Sequence, residues 1–221
     1  MLEINKNNIM MDSHAVDTLL KHIKQNGKMF EWGSGGSTLE FSKVTGHYFS
    51  VEHSAEWCEK MIPLLGSQEN KITYMYRPPN DPNLKTYEDG NYEQMRDYVD
   101  SIDMASNYGK VKFDNILVDG RARVECALKA YSHLHEDGVI FVDDYFERPE
   151  YHTIERRYEL IDTWPHRIYI GHPSRRHFFE TLAPSDRPQV VSHAILHGVQ
   201  TLAVFKKRKN TNMIKKENID V

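Results

Sequence analysis

Phe30-Glu31-Trp32-Gly33-Ser34-Gly35-Gly36-Ser37-Thr38 is a short apolar run that enters a glycine-rich turn, and the turn opens into a segment that reads as a helix over 37–43. Glycines at such a turn let backbone N–H groups approach a ligand with no side chain in the way. A tight strand-to-helix turn without a ligand would use glycine for the same steric reason. The next apolar run, 48–51, strengthens the ligand reading because it ends on Glu52, 21 positions after Glu31. A carboxylate at that strand end can accept both hydroxyl hydrogens of a ribose.

Working outward, strands and helices alternate. Val16, Leu19, Leu20 and Ile23 recur on one face of a helix that Asp12 or Ser13 can cap. Strands are expected over 28–32, 48–51, 72–76, 114–118 and 139–142, with helices over 54–65, 92–104, 123–133 and 151–161 and later strands over 167–170 and 201–206. The unbroken apolar runs Ile116-Leu117-Val118 and Val139-Ile140-Phe141-Val142 suit central strands covered on both faces. This order predicts an α/β fold with a mostly parallel central sheet. One domain is expected over 1–208, with insertions at 77–108 and 172–198 at the ligand edge and a polar tail at 209–221.

Composition narrows the function classes. A formal charge of −4, 39% apolar and 27% charged residues suit a globular protein without a broad basic surface for nucleic acid, though a local basic patch stays open. No apolar run reaches bilayer-spanning length and the start lacks a secretory pattern, so a cytoplasmic location without membrane insertion is expected. Cys58 and Cys126 each fall in a predicted helix and read as reduced packing residues rather than a disulfide or ligand pair. Monomer and homo-oligomer are both left open.

A dinucleotide cofactor would also satisfy Glu52, but that pattern wants glycine where Thr38 stands, and Glu31 would repel a pyrophosphate at the turn. A carboxylate there can instead pair with the ammonium of a methionine moiety, or brace a helix terminus or a lysine. Glu31, Gly33 and Gly35 match the acidic-x-Gly-x-Gly-x-Gly motif of the class I S-adenosylmethionine-dependent methyltransferases, with Ser37 in place of the third glycine. The chain resembles that family over about 29–145. The resemblance implies a Rossmann-like class I methyltransferase sandwich with S-adenosyl-L-methionine as cofactor. It puts Glu31 near the methionine end, lines the cofactor with Gly33, Ser34, Gly35, Gly36 and Ser37, and assigns the ribose to Glu52. His53 flanks the adenosine or caps a surface turn, and Asp119 adjoins the same site.

Two acidic signals follow the fourth and fifth strands, Asp119-Gly120-Arg121-Ala122-Arg123 and Asp143-Asp144-Tyr145. They could brace local loops. They could also supply oxygen ligands to a hard divalent ion such as Mg²⁺ that activates an acceptor hydroxyl. The trio Asp119, Asp143 and Asp144 resembles the ion site of metal-dependent small-molecule and sugar O-methyltransferases. In the sugar-modifying relatives the strand-four motif is acid-Gly-acid with the second acid as base, and here Arg121 stands in that place. Arg121 and Arg123 could bind an anionic acceptor or pair with the trio. The expected activity is methylation of a small-molecule or carbohydrate hydroxyl with metal assistance. Its alternatives are a metal-independent reaction with Asp119 or a histidine as base, a non-catalytic cofactor-binding module, and a nicotinamide oxidoreductase. Asp119, Arg121, Asp144 and His152 are the candidate catalytic residues, with His172 and His193 as further histidines to test. Tyr87, Tyr92, Tyr145 and Trp164 could form an apolar face for the acceptor or fill the core, and Arg175-Arg176-His177 reads as a phosphate site or a solvated charge run.

Overall fold

The computed structural model describes residues 4–66, 70–146, 148–164, 167–169, 176–178 and 201–208. The apolar runs form β1 (Lys28–Trp32), β2 (His47–Glu52), β3 (Ile72–Tyr76), β4 (Phe113–Val118) and β5 (Leu134–Asp143), parallel in the order β3-β2-β1-β4-β5. Beyond β5 the sheet continues with β9 (Leu202–Lys207), antiparallel to β5, and then β6 (Tyr158–Trp164), antiparallel to β9. A separate hairpin pairs β7 (Arg167–Tyr169) with β8 (Arg176–Phe178). The sheet is mostly parallel, as the alternation of elements predicts.

Both faces of the sheet are buried, which is why the runs Ile116-Leu117-Val118 and Val139-Ile140-Phe141-Val142 are apolar without a gap. Phe30, Trp32, Ile116 and Val118 pack on one side with residues of α4 (Tyr92–Val99), α5 (Ser101–Ala105) and α6 (Arg123–Ala130). Met29, Tyr48, Leu117 and Phe141 pack on the other with α1 (Ser13–His22), α2 (Gly36–Phe41) and α3 (Ala55–Leu65). The cap of α1 is Asp12, whose carboxylate accepts the His14 N–H at 2.8 Å. Cys58 and Cys126 are buried and unpaired, in the predicted helices. No helix among the described residues is long and apolar enough to cross a membrane.

Strand register places the site. Trp32 pairs with Val51 and with Val118, and Val118 pairs with Val142. The residues that follow, Gly33, Glu52, Asp119 and Asp143, therefore emerge at one level of the carboxyl edge. Between β1 and β4 the strand order reverses, the place where open α/β sheets form a crevice.

Two expected helices differ. Residues 151–161 do not form one helix: a 3₁₀ helix covers Pro149–Arg156, and β6 starts at Tyr158. Tyr151, Ile154, Tyr158 and Ile161 are spaced as on a helix face, but edge pairing with β9 takes the second half of the run. The helix expected over 92–104 is divided at Asp100, which ends α4 and precedes α5. The irregular stretch 77–90 is present and is tied down from outside: Ala122 N–H donates to Asp89 O at 2.8 Å, and Tyr151 Oη donates to Asp89 Oδ2 at 3.0 Å. Of the insertion at 172–198 only β8 falls among the described residues, and the tail at 209–221 lies outside them, as do His172 and His193.

Candidate functional site

A cleft of about 410 Å³ opens at the carboxyl edge, within the range of small-molecule sites. Its wall contains residues 33–37, Glu52, His53, Asp119, Arg121, Asp143 and Asp144, which sequence reasoning assigned. It also contains Ile9, Met10, Ser54, Trp57 and Thr86, to which the sequence did not point, and Gly120 and Arg123 of the motif after β4, Arg123 being one of the two arginines expected to bind an anion or pair with the trio.

The three glycines of the turn have different reasons to be glycine. Gly33 has φ +92, and a Cβ there would meet Gly120 N at 2.7 Å, so it lets the β1 and β4 loops touch. At Gly36 a Cβ would lie 1.7 Å from Asn8 O, because the N-terminal segment crosses the start of α2. That segment is fastened by Glu40, which accepts Asn5 N–H at 2.7 Å and Asn8 Nδ2 at 2.8 Å, and it brings Ile9 and Met10 to the cleft. Gly35 is the exception. Its φ of 176° is extended backbone open to any residue, and a Cβ there would have only Ser37 Oγ, at 4.0 Å, as a neighbour. Packing does not require Gly35, yet it lines the cleft.

Glu52 is nearly inaccessible, at 3% exposure. Its Oε2 accepts Ser34 N–H and Ser34 Oγ, each at 3.0 Å, and its Oε1 accepts the N–H groups of His53 and Ser54, each at 2.8 Å. Burial pushes its pKa up, but the His53 ring, with Nδ1 2.9 Å from Oε1, and the backbone donors outweigh burial and hold it below the ordinary carboxyl value. Four donors fill a carboxylate's acceptor positions. The Ser34 hydroxyl is the replaceable one, since Tyr74 Oη lies 2.8 Å away as a second partner. Trp57 Nε1 donates to Ser34 O at 2.6 Å and steadies the same turn.

Glu31 does not line the cleft. It is fully buried, with its carboxyl oxygens accepting Ser37 Oγ, Thr38 Oγ1 at 2.5 Å and Ser50 Oγ at 2.9 Å. This is the helix-bracing alternative for Glu31: it joins the first turn of α2 to β2. Burial pushes its pKa up to about 8, against the pull of the three hydroxyls. A carboxyl raised on folding binds its proton more tightly in the native state, so stability is highest below the ordinary carboxyl range and falls as pH rises through that range towards about 8. The limiting slope is about 1.4 kcal/mol per pH unit. Urea midpoints at pH 5.5 and 8 are expected to differ less in Glu31→Gln than in the wild type; parallel curves would contradict this.

The acidic trio surrounds a cation. Arg123 is 5% exposed, and its guanidinium nitrogens lie 3.5 Å from Asp119 Oδ1, 3.8 Å from Asp143 Oδ2 and 3.3 Å from Asp144 Oδ2. It also donates to the backbone oxygens of Gly120 at 3.0 Å, Asp119 at 3.3 Å and Asp143. One side chain thus joins the ends of β4 and β5. Burial raises Asp119 and raises Asp143 well above the carboxylate range, against the pull of Arg123 on both. A hard divalent ion fits this donor set poorly, since a buried guanidinium already lies within 3.8 Å of all three carboxylates and neutralises them. Among the described residues no group of three His, Cys, Asp or Glu is arranged to hold a metal.

Two non-glycine residues at this edge have left-handed backbone, Ala122 at φ +48 and Asp144 at φ +51. Such conformations cost about 1 kcal/mol or more each and cluster where a site fixes its side chains. The remaining expected residues do not converge. His152 stacks on Tyr145 with centroids 4.9 Å apart and is not in the cleft wall. Tyr145 is buried, Tyr87 is 70% exposed, and Trp164 stacks on His14 at 4.7 Å across the sheet, so they form no single aromatic face.

No family model matches the chain, and no curated protein does. Among solved structures, a methyltransferase-like protein from Silicibacter pomeroyi aligns with TM-score 0.55 at 22% identity, over 84% of this chain and 95% of that one. The chain has a class I methyltransferase-like fold. Precorrin 8w decarboxylase from Methanobacterium thermoautotrophicum aligns with TM-score 0.50 at 12% identity, over 93% of this chain and 96% of that one. At these identities the likeness is one of fold, and the chemistry of the chain has to be argued from its own cleft.

Proposed function

We propose that the cleft binds S-adenosyl-L-methionine and that the protein transfers its methyl group to an oxygen of a small-molecule or carbohydrate acceptor, with no metal ion. The observation that carries this reading is Gly35, a glycine that packing leaves unexplained, at one cleft with Glu52 and the Asp119 carboxylate. When bound, the cofactor supplies an electrophilic methyl on a sulfonium sulfur that departs as a neutral thioether. Gly35 leaves room for it, Glu52 receives a ribose hydroxyl in place of the Ser34 hydroxyl, and Trp57 and His53 border it. Asp119 takes the proton of the acceptor hydroxyl. Its burial makes it more basic than an ordinary aspartate, and Asp143 and Arg123 hold it in place. Arg123 supplies the fixed positive charge that an ion would otherwise bring to these acids.

The test is incubation of purified protein with the methyl donor and a varied acceptor library, including short RNA and DNA, with mass spectrometry for the demethylated cofactor and the methylated product. Turnover on a small hydroxyl compound that survives exhaustive chelation is expected. Loss on chelation with recovery on added Mg²⁺ would return the trio to a metal. Cofactor binding without any turnover would favour a non-catalytic module, and selective binding of a nicotinamide dinucleotide would refute the cofactor assignment. Glu52→Gln, which keeps the shape but removes the charged acceptor, is expected to weaken cofactor binding by about tenfold or more. Glu59→Ala, on the exposed side of α3, is the control and should leave affinity within about twofold of wild type. Equal losses, measured by calorimetry on folded proteins, would remove Glu52 from the site.

A further inference from the structure

We infer that the acceptor carries an anionic group, a carboxylate or a phosphate, and that Arg121 receives it. The two arginines of the β4 loop are separated by their surroundings. Arg123 is buried and paired with all three aspartates, whereas Arg121 has no ion-pair partner among the described residues although it lines the same cleft.

Arg121 is held rather than loose. Its Nε donates to Thr86 O at 2.8 Å, and Nη1 reaches Gly120 O at 3.4 Å, so one edge of the guanidinium is fixed while Nη2 keeps its donors. The backbone presents it deliberately: the next residue, Ala122, is left-handed, and its N–H is held by Asp89 O at 2.8 Å. Asp89 in turn receives the Tyr151 hydroxyl, so the 77–90 stretch, the β4 loop and the 3₁₀ helix Pro149–Arg156 all set the direction of this arginine. An alanine kept in that conformation by three elements is a strained turn whose effect is to aim Arg121 and to place Thr86 beside it. The charge balance agrees. Arg123 offsets the aspartates locally from within 3.8 Å of each, which leaves Arg121 as the arginine of the cleft with unspent hydrogen-bonding capacity. A planar guanidinium with a free edge suits the oxygens of a carboxylate or phosphate.

This inference rests on the methyl-transfer reading for the hydroxyl that is methylated, but its test does not. Calorimetry compares 4-hydroxybenzoate and phenyl phosphate with phenol, their neutral counterpart, in the presence and absence of S-adenosylhomocysteine. At least one anion is expected to bind about tenfold more tightly than phenol, and which one it is distinguishes carboxylate from phosphate. Arg121→Gln, which keeps a donor for Thr86 O without the charge, should reduce that advantage to about twofold, while Arg121→Lys retains most of it and Lys85→Met leaves it intact. Equal binding of phenol and both anions by the wild type would overturn the proposal, as would an advantage that persists in Arg121→Gln. Failure of S-adenosylhomocysteine to bind would instead strike the cofactor reading, because the anion comparison without it still reports on Arg121.

Discussion

Arg123→Met is expected to lower the stability of the native protein by about 3–5 kcal/mol at pH 7.5, the range for a buried charge network that loses one partner. The variant leaves Asp119, Asp143 and Asp144 facing one another without the guanidinium that lies within 3.8 Å of each, and it removes donors from the backbone oxygens of Gly120, Asp119 and Asp143. The deficit has a definite pH dependence. Burial already raises Asp119 and Asp143, and without Arg123 their neutral forms are favoured further, so acidification relieves the repulsion and the gap to wild type narrows towards pH 5. Urea denaturation at both pH values measures it. Arg123→Lys, which keeps the charge but not the fork, should fall between the two and provides a folded protein if methionine prevents folding. A methionine variant as stable as wild type at pH 7.5, or a gap that widens on acidification, would contradict the role given to Arg123.

Much of this site could be read from residue order alone, because it depends on strand ends. Phe30 to Thr38 is a strand, a turn and a helix start, and the apolar runs ending at Val118 and Val142 put Asp119 and Asp143 at the same edge once β4 and β5 pair in parallel. What could not be read depends on direction and on distant contacts. Glu31 alternates with Phe30 and Trp32 along β1, so it belongs to the opposite face, and the hydroxyls of Ser37, Thr38 and Ser50 that await it there were a signal open to the sequence. For Arg123 the sequence left pairing with the trio beside anion binding: its place four residues after Asp119 on a helix start favours the contact with Asp119, and the β4–β5 register decides its reach to Asp143 and Asp144. Ile9 and Met10 arrive through an N-terminal segment with no periodicity, latched by Glu40 near the end of α2, and nothing local in 4–12 announces the cleft. The helix expected over 151–161 shows the reverse case, a helical spacing that lost to edge pairing with β9.

Gly35→Ala tests the cofactor site with the least disturbance to the fold. Alanine adopts φ 176° without strain, and the added Cβ meets nothing closer than Ser37 Oγ at 4.0 Å, so stability should stay within about 1 kcal/mol of wild type or rise slightly. The same substitution at Gly36 would drive a Cβ to within 1.7 Å of Asn8 O, and at Gly33 it would require a left-handed alanine against Gly120. Only at Gly35 does a methyl enter the cleft while the packing around it is spared. Against a bound cofactor that methyl is an overpacking defect of about 1–3 kcal/mol, or roughly 10- to 100-fold in affinity. The decisive measurement is calorimetric titration of S-adenosyl-L-methionine into wild type and Gly35→Ala, with a denaturation curve for each. Saturable one-site binding to wild type is expected, with a loss of about tenfold or more in a variant of undiminished stability. No binding to the folded wild type, or equal affinity in Gly35→Ala, would contradict it.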